Sequence, residues 1–339
     1  MRVAVIGAGS WGTTVAALAT HNASSVVLWA RRPELAHAID TGHENPDYLP
    51  GRALPASLRA TSDLAAALAG AEAVVLAVPS HGLRDVLTEA LGSVPPGVPV
   101  VSLAKGLESG SLKRMTEVVT DVLDGHPPER VGVLTGPNLA VEVVMGMPTA
   151  SVVAMVDAEA GELIQRLFMT AAFRVYTNPD VVGCEIAGVL KNVVAIAAGV
   201  AQGLGVGDNA RAALITRGLA ELTRLGLALG GNPLSFLGLA GIGDLVVTCT
   251  SEKSRNRHVG VELGRGRSLP DILGSMNMVA EGVRSTEAVL ALAGKCGVEM
   301  PIATEVQAVL TGERRPSEAL AQLMGRGAKS ELEGIRILP

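Results

Sequence analysis

The 339-residue chain predicts an α/β fold: a doubly wound, mainly parallel sheet in the N-terminal part, then an all-helical C-terminal part. Three observations carry this. Short apolar runs alternate with helix-compatible stretches as far as Asn178-Pro179-Asp180, the pattern of parallel strands joined by crossover helices. The first apolar run enters Gly7-x-Gly9-x-x-Gly12 directly. From Val181 onward no convincing strand recurs and the remaining stretches read as helices. The expected organisation is a dinucleotide-binding domain over 1–180 and a helical substrate-binding domain over 181–339.

The glycine segment gains meaning from its context. Val3-Ala-Val-Ile6 is apolar and β-prone, as a strand buried on both faces requires. The glycines then lead into a helix-compatible run, Thr13–Thr20. Gly7 permits the tight turn, Gly9 lets backbone approach a pyrophosphate, and Gly12 lets helix and strand pack closely. A Rossmann-type nucleotide site is the expectation; a glycine-rich turn that binds nothing is the alternative.

Val26-Val-Leu-Trp29 is the second expected strand. An NAD-specific unit places an acid at its end, about 20 residues past the glycines. Ala30-Arg31-Arg32 stands there instead. An arginine fork pairs with a 2′-phosphate, which favours NADPH over NADH; a solvated basic turn is the alternative. His43–Pro55 reads as a loop, and Ser62-Asp63 caps a short alanine-rich helix. Ala73–Val78 is expected as the third strand, followed by Val98–Leu103, Val131–Leu134, Thr149–Val153 and Phe173–Tyr176. Lys105 and Gly136-Pro-Asn138 fall at carboxyl ends of strands, where such sheets gather ligands. Helices are expected over Val181–Val200, Ala210–Leu229, Arg257–Leu263, Leu269–Leu273, Ser285–Cys296, Ile302–Leu310 and Pro316–Met324.

Composition narrows the function classes. A hydrophobic fraction of 48% with 18% charged residues describes an ordinary soluble protein, and 2% aromatics leaves the core to Ala, Val, Leu and Ile. A net charge of −5 without a basic tail argues against nucleic acid as a partner. No signal peptide and no membrane span is expected. Cys184, Cys249 and Cys296 are scattered, which suggests a reducing compartment such as the cytoplasm, and neither they nor the six histidines fall in metal-ligand spacing. The residues leave oligomeric state open, a homodimer being one arrangement.

Three stretches of the helical part offer chemistry. Lys191 and Asn192 interrupt an otherwise apolar helix. An ammonium among Leu190, Val193 and Val194 is partly desolvated, which favours its neutral form and suits proton transfer; a surface lysine on an amphipathic helix is the alternative. Asp244 lies within Gly241-Ile-Gly-Asp-Leu245, placed to orient a substrate hydroxyl or the lysine, or simply to cap a helix or turn. Ser254-Arg255-Asn256 sets hydroxyl, guanidinium and amide donors side by side before a helix. That suits a phosphate, and also suits a simple helix cap.

Taken together, these stretches resemble the bacterial NAD(P)-dependent glycerol-3-phosphate dehydrogenases. The resemblance rests on Gly7-Ala-Gly-Ser-Trp-Gly12, Lys105-Gly-Leu-Glu108, Gly136-Pro-Asn-Leu-Ala140, Met147-Pro-Thr-Ala150 and Glu185. It continues through Lys191-Asn-Val-Val-Ala-Ile-Ala-Ala-Gly199, Thr216-Arg-Gly-Leu219, Gly238-Leu-Ala-Gly-Ile-Gly-Asp-Leu245, Ser254-Arg-Asn256 and Val279-Ala-Glu-Gly282, in family order. It implies reversible reduction of dihydroxyacetone phosphate to sn-glycerol 3-phosphate, the precursor of the glycerophospholipid backbone. It also implies dinucleotide contacts at Gly7, Gly9, Ser10, Trp11, Gly12, Arg31, Arg32, Lys105, Ala140, Arg255, Val279 and Glu281. The implied substrate contacts are Lys105, Gly136, Asn138, Lys191, Asp244, Ser254, Arg255 and Asn256, with Lys191 as the acid/base and no metal. One position departs: Asn138 stands where many relatives carry Ser or Thr, although an amide also donates and accepts hydrogen bonds.

Two rival readings have their own signatures. A related two-domain dehydrogenase acting on a 3-hydroxy acid or an opine would carry a carboxylate-binding group at residues 254–256. A catalytically silent NADPH sensor would keep the glycines but have no use for Lys191. Retention of Lys105, Lys191, Asp244 and the Ser-Arg-Asn run argues against the sensor.

Overall fold

The computed structural model describes residues 1–276, 280–328 and 330–331. The chain divides into two compact units, Met1–Lys105 with Lys113–Val181, and Gly106–Leu112 with Val182–Pro339. The second unit thus takes in Gly106–Leu112, a segment that the expected division at 180/181 assigned to the first.

The first unit alternates strand and helix. In order it contains β1 (Arg2–Ile6), α1 (Ser10–Ala19), β2 (Ser25–Trp29), α2 (Pro33–Gly42), β3 (Leu58–Thr61), α3 (Leu64–Leu68), β4 (Ala73–Leu76) and α4 (Leu83–Glu89). There follow β5 (Val100–Ser102), α5 (Met115–Val122), β6 (Val131–Thr135), α6 (Ala140–Val144), β7 (Thr149–Ala154), α7 (Ala158–Phe168) and β8 (Phe173–Asn178). The strands form one sheet in the order β3-β2-β1-β4-β5-β6-β7-β8. Every neighbouring pair is parallel except β6 and β7, so the last two strands run against the other six. Both faces are buried. Val3 and Val5 enter one apolar layer with Leu28, Val75 and Phe173, while Ala4 and Ile6 enter the other with Val74, Leu76 and Val100. That alternation is the two-residue period of a strand with helices on both sides.

The strand order reverses between β1 and β4, and ligands of such sheets gather at the carboxyl ends beside that switch. The run Ala73–Val78, expected as the third strand, is the fourth, β4. The strand missed is β3, Leu-Arg-Ala-Thr, an edge strand whose only fully buried residue is Leu58. An edge position needs little apolar sequence, so periodicity gave no sign of it.

The second unit is helical: α8 (Val181–Gly203), α9 (Asp208–Ala228), α10 (Pro233–Phe236), α11 (Asp244–Thr250), α12 (Arg255–Gly264), α13 (Leu269–Gly274), α14 (Glu281–Lys295), α15 (Pro301–Leu310) and α16 (Pro316–Met324). A π-helical turn, Leu239–Gly243, leads into α11. α10 and α11 went unpredicted because Gly238, Gly241 and Gly243 break the helical pattern. Gly241 is required there, since a Cβ would overlap the Phe236 carbonyl.

α8 is the axis of this unit. It packs against α12 backbone to backbone. A Cβ on Gly199 would lie 2.9 Å from the Gly260 Cα and overlap the Arg257 carbonyl oxygen. One turn on, a Cβ on Gly203 would lie 2.9 Å from the Gly264 Cα. α8 and the Pro233–Thr250 stretch are long and apolar enough by length and composition to cross a membrane; 94% of the apolar window of α8 is buried within the protein, as in a core helix, against 44% for the second.

Glu221 ties α9 to α15. Its carboxylate is buried and accepts hydrogen bonds from the Ile302 N–H at 2.7 Å and the Ala303 N–H at 3.3 Å, the first turn of α15. Burial pushes its carboxyl up to about 7 from an ordinary value of 4.5.

Two outcomes follow from this packing. Gly260→Ala would add helix propensity worth about 1 kcal/mol, yet overpacking typically costs about 1–3 kcal/mol and here the added methyl meets backbone that cannot repack. Chemical denaturation should therefore show net destabilisation. Glu221 binds its proton more tightly folded than unfolded, so its contribution is complete below the unfolded value and is lost as pH rises toward the folded one. Thermal stability should carry a component that falls between pH 4.5 and about 7; the same titration on Glu221→Gln should lack it.

Candidate active site

In the first unit the glycine turn follows β1. Gly7 has φ +117°, and a Cβ there would lie 2.7 Å from the Ala77 carbonyl oxygen. A Cβ on Gly12 would overlap the Gly7 carbonyl oxygen, so α1 sits directly on the turn. Gly9 differs: its Cβ would meet nothing within 4 Å, and it is the N-cap of α1, where among the described residues no side chain caps the helix. The turn therefore leaves an open cradle before α1's first amides, which suits an anion. Ser10 and Trp11 open α1; the Ser10 hydroxyl donates to the Tyr48 carbonyl at 3.1 Å, and the Trp11 indole N–H is buried without a partner.

Asn45 holds this turn and was missed in the sequence. It is fully buried, donates to the Ala8 carbonyl at 2.9 Å and to the Thr13 hydroxyl at 2.8 Å, and accepts from the Tyr48 N–H at 3.0 Å. One asparagine in the loop His43–Pro55 carries no spacing signal that would mark it.

Ile6 of β1 pairs with Trp29 of β2, which brings Ala30-Arg31-Arg32 beside the glycine turn. Both arginines are exposed, and Arg32 forms an ion pair with Asp47. Arg31 has no acidic partner among the described residues, leaving its guanidinium available to an anion.

Lys105, Gly136 and Asn138 come together past the ends of β5 and β6. The Lys105 ammonium donates to the Gly136 carbonyl at 3.2 Å. Gly136 has φ +134°, a conformation natural to glycine. Asn138 donates through Nδ2 to the Ser151 hydroxyl at 3.0 Å. Ala140 opens α6, and its carbonyl accepts from the Thr14 hydroxyl of α1 at 3.4 Å.

In the second unit Lys191 projects from α8 into a buried polar cluster. Its ammonium donates to Asp244 Oδ1 at 2.5 Å and to Thr248 Oγ1 at 2.8 Å. Exposure is 7% for Lys191 and 1% for Asp244. Thr248 spends its own proton on the Asp244 carbonyl at 2.6 Å, so toward Lys191 it acts as an acceptor. Neither bland alternative holds: the lysine is not a surface lysine, and Asp244 pairs with a charge. Nor is the lysine simply desolvated, since a carboxylate compensates its ammonium. Thr248 was missed, lying one turn beyond Asp244 on a helix that was not foreseen. Cys249, next along α11, is buried and its thiol is pushed up to about 12 by desolvation, which makes it unreactive.

Ser254, Arg255 and Asn256 start α12. The Ser254 hydroxyl oxygen accepts from the Arg257 N–H at 3.3 Å, a helix cap that leaves the hydroxyl proton to donate elsewhere. Arg255 is exposed. Asn256 is buried, accepts from the Gly282 N–H at 3.0 Å and donates to Asn192 Oδ1 at 2.9 Å. Asn192, the neighbour of Lys191, thereby joins α8, the start of α12 and the start of α14, which Glu281 opens. Val279 lies outside the described residues. Among the described residues no group of three His, Cys, Asp or Glu side chains could hold a metal ion.

Comparison with known proteins adds an independent line. Family models described as NAD-dependent glycerol-3-phosphate dehydrogenase N-terminus and C-terminus match residues 2–161 and 180–321. A glycerol-3-phosphate dehydrogenase [NAD(P)+] of Sphingopyxis alaskensis is 56% identical over 324 residues, covering 96% of each chain. One from Chlorobium luteolum is 51% identical, covering 98% of this chain and 99% of the relative. Among solved structures, the glycerol-3-phosphate dehydrogenase of Coxiella burnetii superposes with a TM-score of 0.91 at 37% identity, covering 96% of this chain and 99% of that one.

Proposed function

The chain belongs to the NAD-dependent glycerol-3-phosphate dehydrogenase family, NAD(P)-dependent oxidoreductases with a small-molecule substrate, and we propose that it reduces dihydroxyacetone phosphate reversibly to sn-glycerol 3-phosphate using Lys191 as the proton donor. The observation that carries this is the buried Lys191–Asp244 pair at 2.5 Å, since a lysine buried on a helix without a chemical task is rare.

The open cradle at Gly9, bounded by Gly7 and Gly12, fits a dinucleotide pyrophosphate. Gly7, Gly9, Ser10, Trp11 and Gly12 would hold it. Arg31, with Arg32 beside it, would meet a 2′-phosphate, which favours NADPH over NADH. Lys105, Ala140, Arg255, Val279 and Glu281 complete the contacts we assign to it. When bound, the dinucleotide supplies a hydride to the substrate's ketone carbon.

Lys191 donates its proton to the ketone oxygen as negative charge grows there. Asp244 and Thr248 fix the direction of that ammonium, an orientation that would otherwise cost side-chain entropy during the reaction. Lys105, Gly136 and Asn138 receive the polar end of the substrate. Ser254, Arg255 and Asn256 bind its phosphate, remote binding energy that orients the ketone.

Residues 1–180 would bind the dinucleotide and 181–339 the substrate. Three cysteines, all free, support a cytoplasmic location, and the burial of α8 within the protein supports a chain without a membrane span there. The exposed Leu234, Leu237 and Val246 of the apolar stretch Pro233–Thr250 support a homodimer; sedimentation equilibrium returning a monomer mass would remove that assembly.

Arg255→Ala tests the phosphate grip, with Lys191→Ala beside it. An exposed arginine–anion contact contributes about 0–1 kcal/mol, whereas a charge-assisted bond in a dry site contributes about 1.5–3 kcal/mol. Bound substrate and dinucleotide would shield the otherwise exposed Arg255 from water, so Arg255→Ala should lower kcat/KM for dihydroxyacetone phosphate by roughly 10- to 150-fold; at saturating NADPH, which offsets a weakened dinucleotide contact, it should hardly change the activity on unphosphorylated dihydroxyacetone. Lys191→Ala should lower kcat about 100-fold or more while sparing NADPH binding. Equal damage by Arg255→Ala to both ketones would move the phosphate site elsewhere.

A further inference from the structure

Asn138 has one polar atom with nothing to bond. Its Nδ2 donates to the Ser151 hydroxyl at 3.0 Å, while its Oδ1 is buried and has no partner. The reason lies one bond further on. The Ser151 hydroxyl is 2.7 Å from the Thr135 carbonyl oxygen, and a carbonyl can only accept. Ser151 therefore spends its single proton on Thr135. What remains toward Asn138 is a lone pair, so the amide must turn its NH2 group to Ser151 and its oxygen away. Ser151 is itself fully buried in β7, and its Cα would lie 3.2 Å from a Cβ on Gly136, so it has little room to adopt another arrangement.

Resting on the reading that Asn138 contacts the substrate, we propose that Ser151 is a positioning residue: it fixes Asn138 as a hydrogen-bond acceptor, and the group received there is the substrate's free hydroxyl. The chemistry of the substrate selects that group. The ketone oxygen and the phosphate oxygens of dihydroxyacetone phosphate accept hydrogen bonds, and its C1 hydroxyl is the one good donor. An acceptor that is buried and unsatisfied until the ligand arrives discriminates against a ligand that brings no donor. A serine or threonine in the place of Asn138 could donate or accept by rotating its proton; the amide held by Ser151 has one polarity only.

Acetonyl phosphate, in which a methyl replaces the CH2OH group, is the probe. The wild-type enzyme should prefer dihydroxyacetone phosphate to it. Ser151→Ala frees the amide to flip and should lower kcat/KM for dihydroxyacetone phosphate about 10-fold, the scale of one hydrogen bond. The loss should appear mainly in KM. Activity on acetonyl phosphate and KM for NADPH should stay within about twofold, and Ser151→Thr, which keeps the hydroxyl, should keep the preference. If Ser151→Ala does not fold, Ser151→Cys serves, because a thiol donates only weakly. Asn138→Ala separates the two layers of the argument. If it abolishes the preference while Ser151→Ala and Ser151→Cys leave it intact, the positioning role falls and the substrate contact stands. If Asn138→Ala leaves the preference intact, both fall. Equal losses on both ketones, or a raised KM for NADPH, would make Ser151 a structural or cofactor-side residue and overturn the proposal.

Discussion

Two helices without side chains between them set the geometry of the helical unit. Where α8 meets α12, Gly199 and Gly203 face Gly260 and Gly264, and backbone touches backbone. Glycine in a helix interior costs about 1 kcal/mol relative to alanine, and four at one crossing are a large local penalty. The return is distance. With the axes this close, Asn192 on α8 reaches Asn256 at the start of α12, and Gly282 at the start of α14 closes onto both. A Cβ on Gly282 would lie 2.7 Å from the Asn192 carbonyl oxygen, so this third approach is also limited by backbone. The phosphate-binding candidates and the lysine are thereby placed by rigid elements, as a site that must orient a small ketone requires.

Within that frame the Lys191–Asp244 pair is weak evidence of stability. Burying two charges costs several kcal/mol per ion even after relaxation, and replacing such a pair by well-packed apolar residues is often neutral or favourable. The pair persists at 2.5 Å in the interior, with Thr248 supplying a further acceptor. The geometry holds the ammonium away from water and in one direction, which is what the proposed proton donor requires. The surrounding residues agree with a task of that kind: α8 is otherwise apolar on nearly every face, and the adjacent Cys249 is held as an inert thiol.

The N-terminal fold was legible because its chemistry is local. Four apolar residues running into three spaced glycines specify strand, turn and helix within a single stretch, and the sheet followed from repetition. What stayed hidden was decided by partners distant in sequence. β3 is defined by lying beside β2, not by its own composition. α11 begins after a π-helical turn whose glycines look like breakers until the overlap with Phe236 shows why they are needed. Lys191 and Asp244 were each visible as candidates, with the carboxylate able to orient a substrate or the lysine; only the fold, which brings them together across 53 positions, decides for the lysine. Asn45, Ser151 and Thr248 gave no signal, and Asn192 showed only as a polar break in an apolar helix, because a lone polar residue becomes informative only when its hydrogen-bond partners are known.

Two asparagines show what such partners decide. An amide carries a donor side and an acceptor side, and rotation about one bond exchanges them. For Asn256 the Gly282 N–H occupies the oxygen, since a backbone N–H can only donate, and the NH2 group, which donates to Asn192, is the side with a proton to spare. For Asn138 the lone pair of Ser151 occupies the NH2 group, leaving the oxygen. In each case a backbone group of fixed polarity, Gly282 or Thr135, sets the outcome directly or through one hydroxyl. The two residues consequently offer opposite polarities, a donor at the start of α12 and an acceptor past β6.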